Sequence, residues 1–284
     1  MTRILVIVHE SSCNPGRLGQ LWRDAGADVV EVNAWDHPVP PTVDADALVV
    51  LGGSMGCLDD VQAPWLAPTR ELIVRTVHAG IPFLGVCLGH QLATVALGGR
   101  VCTSDHLCLG PAEMHLTPDG EKDPLLSVYS GHRGIHFNND VAVVLPEDAV
   151  LLARDPSGQI EAVRFAERVW GVQFHPECTP EIFDGWTIGH TEKEWKQRLP
   201  WSEAISAAEA VRRDEDVVTA EKAFAVRFLE LIAPHNGVIP RGPRAPENHT
   251  DVSAGSSQID GLTHDHCTGA RNAEHSRPVS LVAC

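Results

Sequence analysis

Between an apolar run and a helical pattern the sequence reads Gly85-Val86-Cys87-Leu88-Gly89-His90-Gln91, a cysteine framed two residues away on each side by glycine. A nucleophile on a sharp strand-to-helix turn needs small flanking residues, because larger ones crowd the strand it leaves and the helix it opens. In that setting Cys87 stands at a helix N-terminus, where unpaired N–H groups and the helix dipole favour a thiolate. The backbone N–H of Leu88 is then placed to steady an oxyanion. A thiolate nucleophile also needs a proton shuttle. With 15 histidines in the chain, a histidine alone carries little information. His175 is set apart by its context, Gln173-Phe174-His175-Pro176-Glu177, at the end of an apolar run. The proline keeps His175 extended. Residues two apart in an extended chain face one side, so Glu177 can orient the imidazole and stabilise its cation. A third stretch, Leu51-Gly52-Gly53-Ser54-Met55-Gly56, also follows an apolar run. Such a loop serves as a phosphate cradle or a tight turn, and here Gly53 can also offer a second oxyanion N–H.

The elements that must hold these residues alternate along the first hundred positions. Ile4–His9, Val29–Val32, Ala47–Leu51 and Pro82–Val86 read as strands, and Gly16–Gly26, Ala67–Ala79 and His90–Leu97 as helices. Apolar strands alternating with helices imply a parallel sheet covered on both faces. In a doubly wound sheet of this kind ligands gather beyond the strand C-termini, where all three stretches fall. The middle changes character. Ala112–Leu116, Ile135–Val144, Val150–Ala153, Ile160–Phe165 and Val169–Phe174 are strand-like, divided by turns such as Asp155-Pro156-Ser157-Gly158. They predict an antiparallel extension that returns to the main sheet at Val169–His175. Helical periodicity resumes over Pro180–Ala233. From 235 to 284 the chain is rich in Gly, Pro, Ser, Asn, Asp and His, which predicts a disordered tail after a domain at 1–234.

Composition limits the partners. The 284 residues are 43% hydrophobic and 21% charged, with a net charge of −16. A surface this acidic repels phosphate backbones and anionic lipid, so neither nucleic acid nor membrane is an expected partner. No run approaches the ~18 apolar residues of a membrane span, and the N-terminus lacks the anatomy of a signal peptide. Eight cysteines without a CxxC pair are expected to be reduced thiols in a cytoplasmic protein. The tract His264-Asp265-His266-Cys267 has metal-binding residue types but lies in the expected tail, and no metal is assigned to it.

Together GVCLGHQ, QFHPE and LGGSMG resemble the class I, triad-type glutamine amidotransferase family, with the likeness greatest to free-standing, GMP-synthase-like members. It extends from about Ile4 to Ala233 through HESSCNPGRLGQLW, ALVVLGGSMGCLDD and GPAEMHLTPDGEKDPLL. The resemblance implies a flavodoxin-like α/β fold, with a doubly wound, mostly parallel sheet, an antiparallel extension and C-terminal helices. It implies that Cys87 attacks the γ-carboxamide of glutamine, that His175 protonates the departing ammonia, and that Glu177 holds His175. Leu88 and Gly53 would steady the oxyanion, Gln91 would help bind substrate, and water would hydrolyse a γ-glutamyl thioester without metal or organic cofactor. One departure is Asn138-Asn139-Asp140, where many relatives carry His-Gly-Asp along the substrate side. It leaves the details of substrate recognition open. A fused ATP-pyrophosphatase module is not expected in this length, so the chain is expected to be either a glutaminase subunit whose partner synthase takes the ammonia or a free-standing hydrolase or transferase of γ-glutamyl compounds. Two alternatives stand beside this reading: a free-standing γ-glutamyl peptide hydrolase, and a binding or regulatory module without turnover.

Overall fold

A computed structural model of the chain describes residues 1–187 and 200–233, apart from the side chains of residues 105 and 106. The expected tail at 235–284 and its His264–Cys267 tract lie outside the described residues. The main sheet is built from β1 Arg3–Val8, β2 Asp28–Asn33, β3 Ala47–Val50, β4 Phe83–Val86, β6 His115–Leu116, β8 Val150–Arg154, β9 Ile160–Ala166 and β10 Val169–Val172. These eight strands lie in the order β2-β1-β3-β4-β10-β9-β8-β6. The first four and β10 run parallel, whereas β9, β8 and β6 extend the sheet antiparallel. Two further strands, β5 Arg100–Glu113 and β7 Arg133–Val144, pair with each other as a separate ribbon.

Strand alternation divides the core in two. Ile4, Val6, Val8, Val49, Leu84, Val86, Trp170 and Val172 point to one face, where they meet α1 (Gly16–Asp24) and the C-terminal helix α6 (Glu215–Ile232). Leu5, Ile7, Leu48, Val50, Phe83 and Val169 point to the other, against α2 (Leu66–His78) and α3 (Leu88–Ala96). A strand buried on both sides must be apolar at every position, which is why β1 from Ile4 onward, β3, β4 and β10 are unbroken apolar runs. Leu18 and Trp22 of α1, and Phe224 and Phe228 of α6, supply the helical side of the first core, with the Trp22 and Phe228 rings 5.4 Å apart. Two shorter helices, α4 (Pro180–Trp186) and α5 (Trp201–Arg213), pack beside the ribbon in a third apolar cluster.

The structure departs from the sequence-based expectation in three places. The expected single antiparallel extension is two structures, because β5 starts at Arg100 rather than Ala112 and leaves the main sheet with β7. The final sheet strand stops at Val172, before Phe174. There the chain changes partner: Gln173 N–H still bonds to Glu161 of β9 at 2.8 Å, but His175 N–H bonds to Ile135 of β7, also at 2.8 Å. His175 thus stands where sheet and ribbon meet. The thiols are not all reduced, since Cys102 and Cys108 are disulfide-bonded, while Cys13, Cys57, Cys87 and Cys178 are free. The register shift between Thr103 and Cys108 bulges β5 and draws these two positions to within three residues of each other along β7, opposite Val141 and Asn138.

Candidate active site

Cys87 joins β4 to α3 with φ 50° and ψ −106°, a backbone shape that side chains rarely adopt. The flanking glycines make the turn possible. A Cβ on Gly85 would lie 2.6 Å from the carbonyl oxygen of Gly89, and one on Gly89 would lie 2.0 Å from that of Val50. The helix therefore starts in direct contact with the two central strands. Cys87 N–H is tied to Val172 of β10 at 2.8 Å, so the elbow is held from both neighbouring strands. The structure places Leu88 in the first turn of α3, and Gly53 beside it. A Cβ on Gly53 would lie 2.9 Å from the Leu88 Cδ2 atom.

His175 and Glu177 meet as their spacing predicts. His175 Nδ1 is 2.8 Å from Glu177 Oε1, and both side chains are buried. On its other side the imidazole lies near enough to the Cys87 side chain to interact with it, and both line the same cavity. Burial works against a charged imidazole, yet the Glu177 carboxylate and the Cys87 sulfur outweigh it and raise the His175 pKa to about 10. The Trp186 ring of α4 packs on the imidazole with centroids 4.6 Å apart, and its Nε1–H bonds to the Ser12 carbonyl at 2.8 Å. Glu177 is held by its backbone, whose carbonyl accepts the Arg17 N–H at 2.8 Å from the start of α1. Gly16 allows that approach, since a Cβ there would sit 2.2 Å from the same oxygen.

Three residues enter that sequence reasoning did not single out. Gln173 Nε2 donates to Cys87 Sγ at 3.4 Å, and its Oε1 accepts from Gln91 Nε2 at 3.2 Å. Gln91 Nε2 also reaches the Asp140 carbonyl at 3.0 Å. Gln91 is thus joined through Gln173 to the sulfur and directly to the Asn138–Asp140 stretch. Gly52 lies closer to the reacting groups than Gly53 does. A Cβ on Gly52 would be 3.0 Å from His175 Cε1 and 3.6 Å from the Cys87 Cβ. Glu10, at the end of β1, is the third. Its neighbourhood in the sequence, with His9, Ser12 and Cys13, carries polar groups just past a core strand and was the available signal. Of the neighbouring groups, burial lifts the Cys13 and Cys178 thiols well above the usual range and lowers His90 to about 4.

These groups open on a cavity of about 470 Å³, lined by Cys87 and His175 together with Gly53, Gln91 and the Asn138–Asp140 stretch. Glu10, Ser12, Ser54, Phe137 and Trp186 complete much of its wall. Cys87 is only 6% exposed, so a substrate must enter this space to reach the sulfur.

The sequence profile of the family described as "Glutamine amidotransferase class-I" matches residues 20–188. The chain belongs to the class-I glutamine amidotransferase family. With that membership it is an enzyme of the glutamine amidotransferase type. This amidotransferase is 30% identical over 198 residues to the glutamine amidotransferase-like protein YfeJ of Salmonella typhimurium, covering 68% of this chain and 82% of that one. It is 31% identical over 196 residues to one component of a glutamine-hydrolysing GMP synthase from Halobacterium salinarum, covering 68% and 93%. Its fold matches a glutamine amidotransferase from Thermotoga maritima with a TM-score of 0.68 at 18% identity, covering 82% of this chain and 99% of that one. Among the described residues no helix is long and apolar enough to cross a membrane.

Proposed function

We propose that this amidotransferase hydrolyses the γ-glutamyl amide of glutamine and that the ammonia passes to a partner synthase. The observation that carries the reading is the contact of Cys87 with His175, whose other ring nitrogen is 2.8 Å from Glu177. The Cys87 sulfur bonds to the γ-carbonyl carbon, and negative charge gathers on the carbonyl oxygen. The N–H groups of Leu88 and Gly53 steady that oxygen. Collapse breaks the C–N bond, and the proton held on the His175 imidazolium passes to the departing nitrogen. A water molecule, deprotonated by His175, then cleaves the thioester to glutamate, and the sulfur leaves as a thiolate beside the re-formed imidazolium, as at the start of the cycle. Glu177 orients the ring and stabilises its cation throughout.

The chain uses no metal or organic group for these steps. Gln91 and the Asn138–Asp140 stretch hold the glutamyl end, and the Gln173 amide holds the sulfur in line. The similarity to a component of a GMP synthase supports a partner that consumes the ammonia. The test is glutamate release from glutamine by purified protein, with and without candidate synthases. Release that Cys87→Ala abolishes supports the reading, and its absence under all these conditions rejects it.

A further inference from the structure

Apart from the His175 imidazolium, which is paired with Glu177, the charged side chains on the cavity over Cys87 are acidic. Glu10 and Asp140 line it, and among the described residues no lysine or arginine does. Glu10 is held entirely by neutral donors. Its Oε1 accepts from Ser12 Oγ at 3.0 Å and Cys13 Sγ at 3.2 Å, and its Oε2 from Ser54 Oγ at 2.6 Å. A half-buried carboxylate fixed in this way has hydrogen-bond donors but no cation against it among the described residues, and a cation is what would most stabilise it. The adjacent His9 does not supply one. Burial, opposed only by Glu10, lowers its pKa to about 4, and its Nδ1 accepts from Trp65 Nε1 at 3.1 Å. Across the cavity, on the side of the glutamyl end, Asn138 carries a buried acceptor without a partner. Asn138 is 7% exposed and its Oδ1 has no hydrogen-bond partner, while its Nδ2 is committed to the Asp140 carbonyl at 3.3 Å.

Strand order separates two sides of the nucleophile. In β1-β3-β4-β10, Cys87 ends β4, the Gln173–His175 segment follows β10, and Glu10 and Ser54 follow β1 and β3. Gln91 and Asn138–Asp140 are linked to the β10 side through Gln173 and the Asp140 carbonyl. Glu10 therefore lies on the side away from the glutamyl end, past a strand that is two spacings (roughly 10 Å) from β4. The stacked rings of Phe137 and Trp186, with centroids 6.1 Å apart, give the cavity an apolar wall for a short methylene spacer.

We propose that Glu10 forms a subsite for a cationic leaving amine, so that the enzyme accepts γ-glutamyl amides of diamines as well as glutamine. The proposal rests on the γ-glutamyl reading above. In this reaction the Cys87 sulfur bonds to the γ-carbonyl carbon as the C–N bond breaks, and the His175 proton goes to the departing nitrogen. The diamine leaves with its distal ammonium on Glu10, and water releases glutamate from the thioester.

The test uses the full chain with Cys87→Ala, which binds without turnover, and isothermal titration calorimetry. The ligands are γ-glutamyl-(4-aminobutyl)amide and its uncharged isostere γ-glutamyl-pentylamide. The charged amide is expected to bind about tenfold tighter or more, as for a hydrogen bond to a charged group. Added salt should reduce that preference, and Glu10→Gln in the same background should cut it to about twofold or less. Equal affinities for the two amides, no binding of either, or a preference that survives Glu10→Gln would overturn the proposal. Glutamine hydrolysis by the unaltered enzyme reports separately on the reading beneath it. Glutamate release without a cation preference rejects only the Glu10 subsite, whereas a Glu10-dependent preference without release upholds the subsite and rejects hydrolysis.

Discussion

At Cys87 the backbone is strained so that the sulfur can stand at a helix start facing His175. Both Cys87→Ala and Cys87→Gly remove the thiol, but only glycine relieves φ 50°. Cys87→Gly is therefore expected to be more stable than Cys87→Ala by about 1 kcal/mol, a rise of roughly 2 °C or more in melting temperature for a chain this long. Equal melting temperatures would mean that the elbow is not strained. The second prediction concerns charge. The folded His175 pKa of about 10 lies above its ordinary 6.5, so the imidazolium is held by the fold. The stability this contributes is complete below about 6.5 and is lost as pH rises through about 10. For catalysis the same shift keeps the acid that protonates the leaving group, and the alkaline limb of kcat/KM should fall near 10. Glu177→Gln removes the first of the two charges that raise it and should move that limb toward 6.5, which a pH–rate profile would show. An unmoved limb would remove Glu177 from its assigned role. Cys87, His175 and Glu177 were legible in the sequence because each pattern is local: a glycine-framed elbow and an extended His-Pro-Glu. Glu10, Gln173 and Gly52 were not, because their importance depends on which strand lies beside which.

The elements are positioned by close backbone approaches at a few glycines. Gly89→Ala would drive its Cβ into the Val50 carbonyl at 2.0 Å, with rigid backbone on both sides. Separating α3 from β3 should cost about 2 kcal/mol or more and displace the elbow, so denaturant midpoint and activity should fall together. Gly52→Ala is different. Its Cβ would sit 3.0 Å from His175 Cε1, an edge that can turn, while no backbone clash stands within that range. It should lower kcat/KM by about tenfold or more with a smaller loss of stability, because an imidazole moved by a fraction of an ångström loses its alignment with the sulfur. Loss of stability without loss of rate would contradict the placement of Gly52 against the reacting pair. The parallel strands were readable from their unbroken apolar runs, since burial on both faces leaves no other pattern. The β5 strand was not. Arg100–Glu113 mixes polar residues with glycine and proline, bulges after Thr103, and finds its partner in β7, across the intervening β6 segment.

Across the whole molecule, two cores on opposite faces of one sheet keep β1, β3, β4 and β10 in register at their C-terminal ends, where the site lies. Phe228 belongs to the core between the sheet and α6, is fully buried, and has no atom on the cavity. Phe228→Ala should cost about 3–5 kcal/mol in unfolding free energy while leaving kcat/KM largely intact well below the melting transition. A large loss of rate in the folded variant would instead mean that the α1–α6 face bears on the site. The overall α/β architecture followed from the order of apolar runs and helical patterns. The division of the middle strands between sheet and ribbon did not, because it depends on long-range pairing that composition does not encode.

The central claim is that an acyl group derived from the γ-carboxamide resides on one sulfur, and acid-quenched protein mass spectrometry after mixing with glutamine tests it directly. The account predicts a γ-glutamyl adduct on the peptide bearing Cys87, absent from Cys87→Ala and accumulating when thioester hydrolysis is slowed. Glutamate released with no adduct at Cys87, or with the adduct on Cys13, would contradict it.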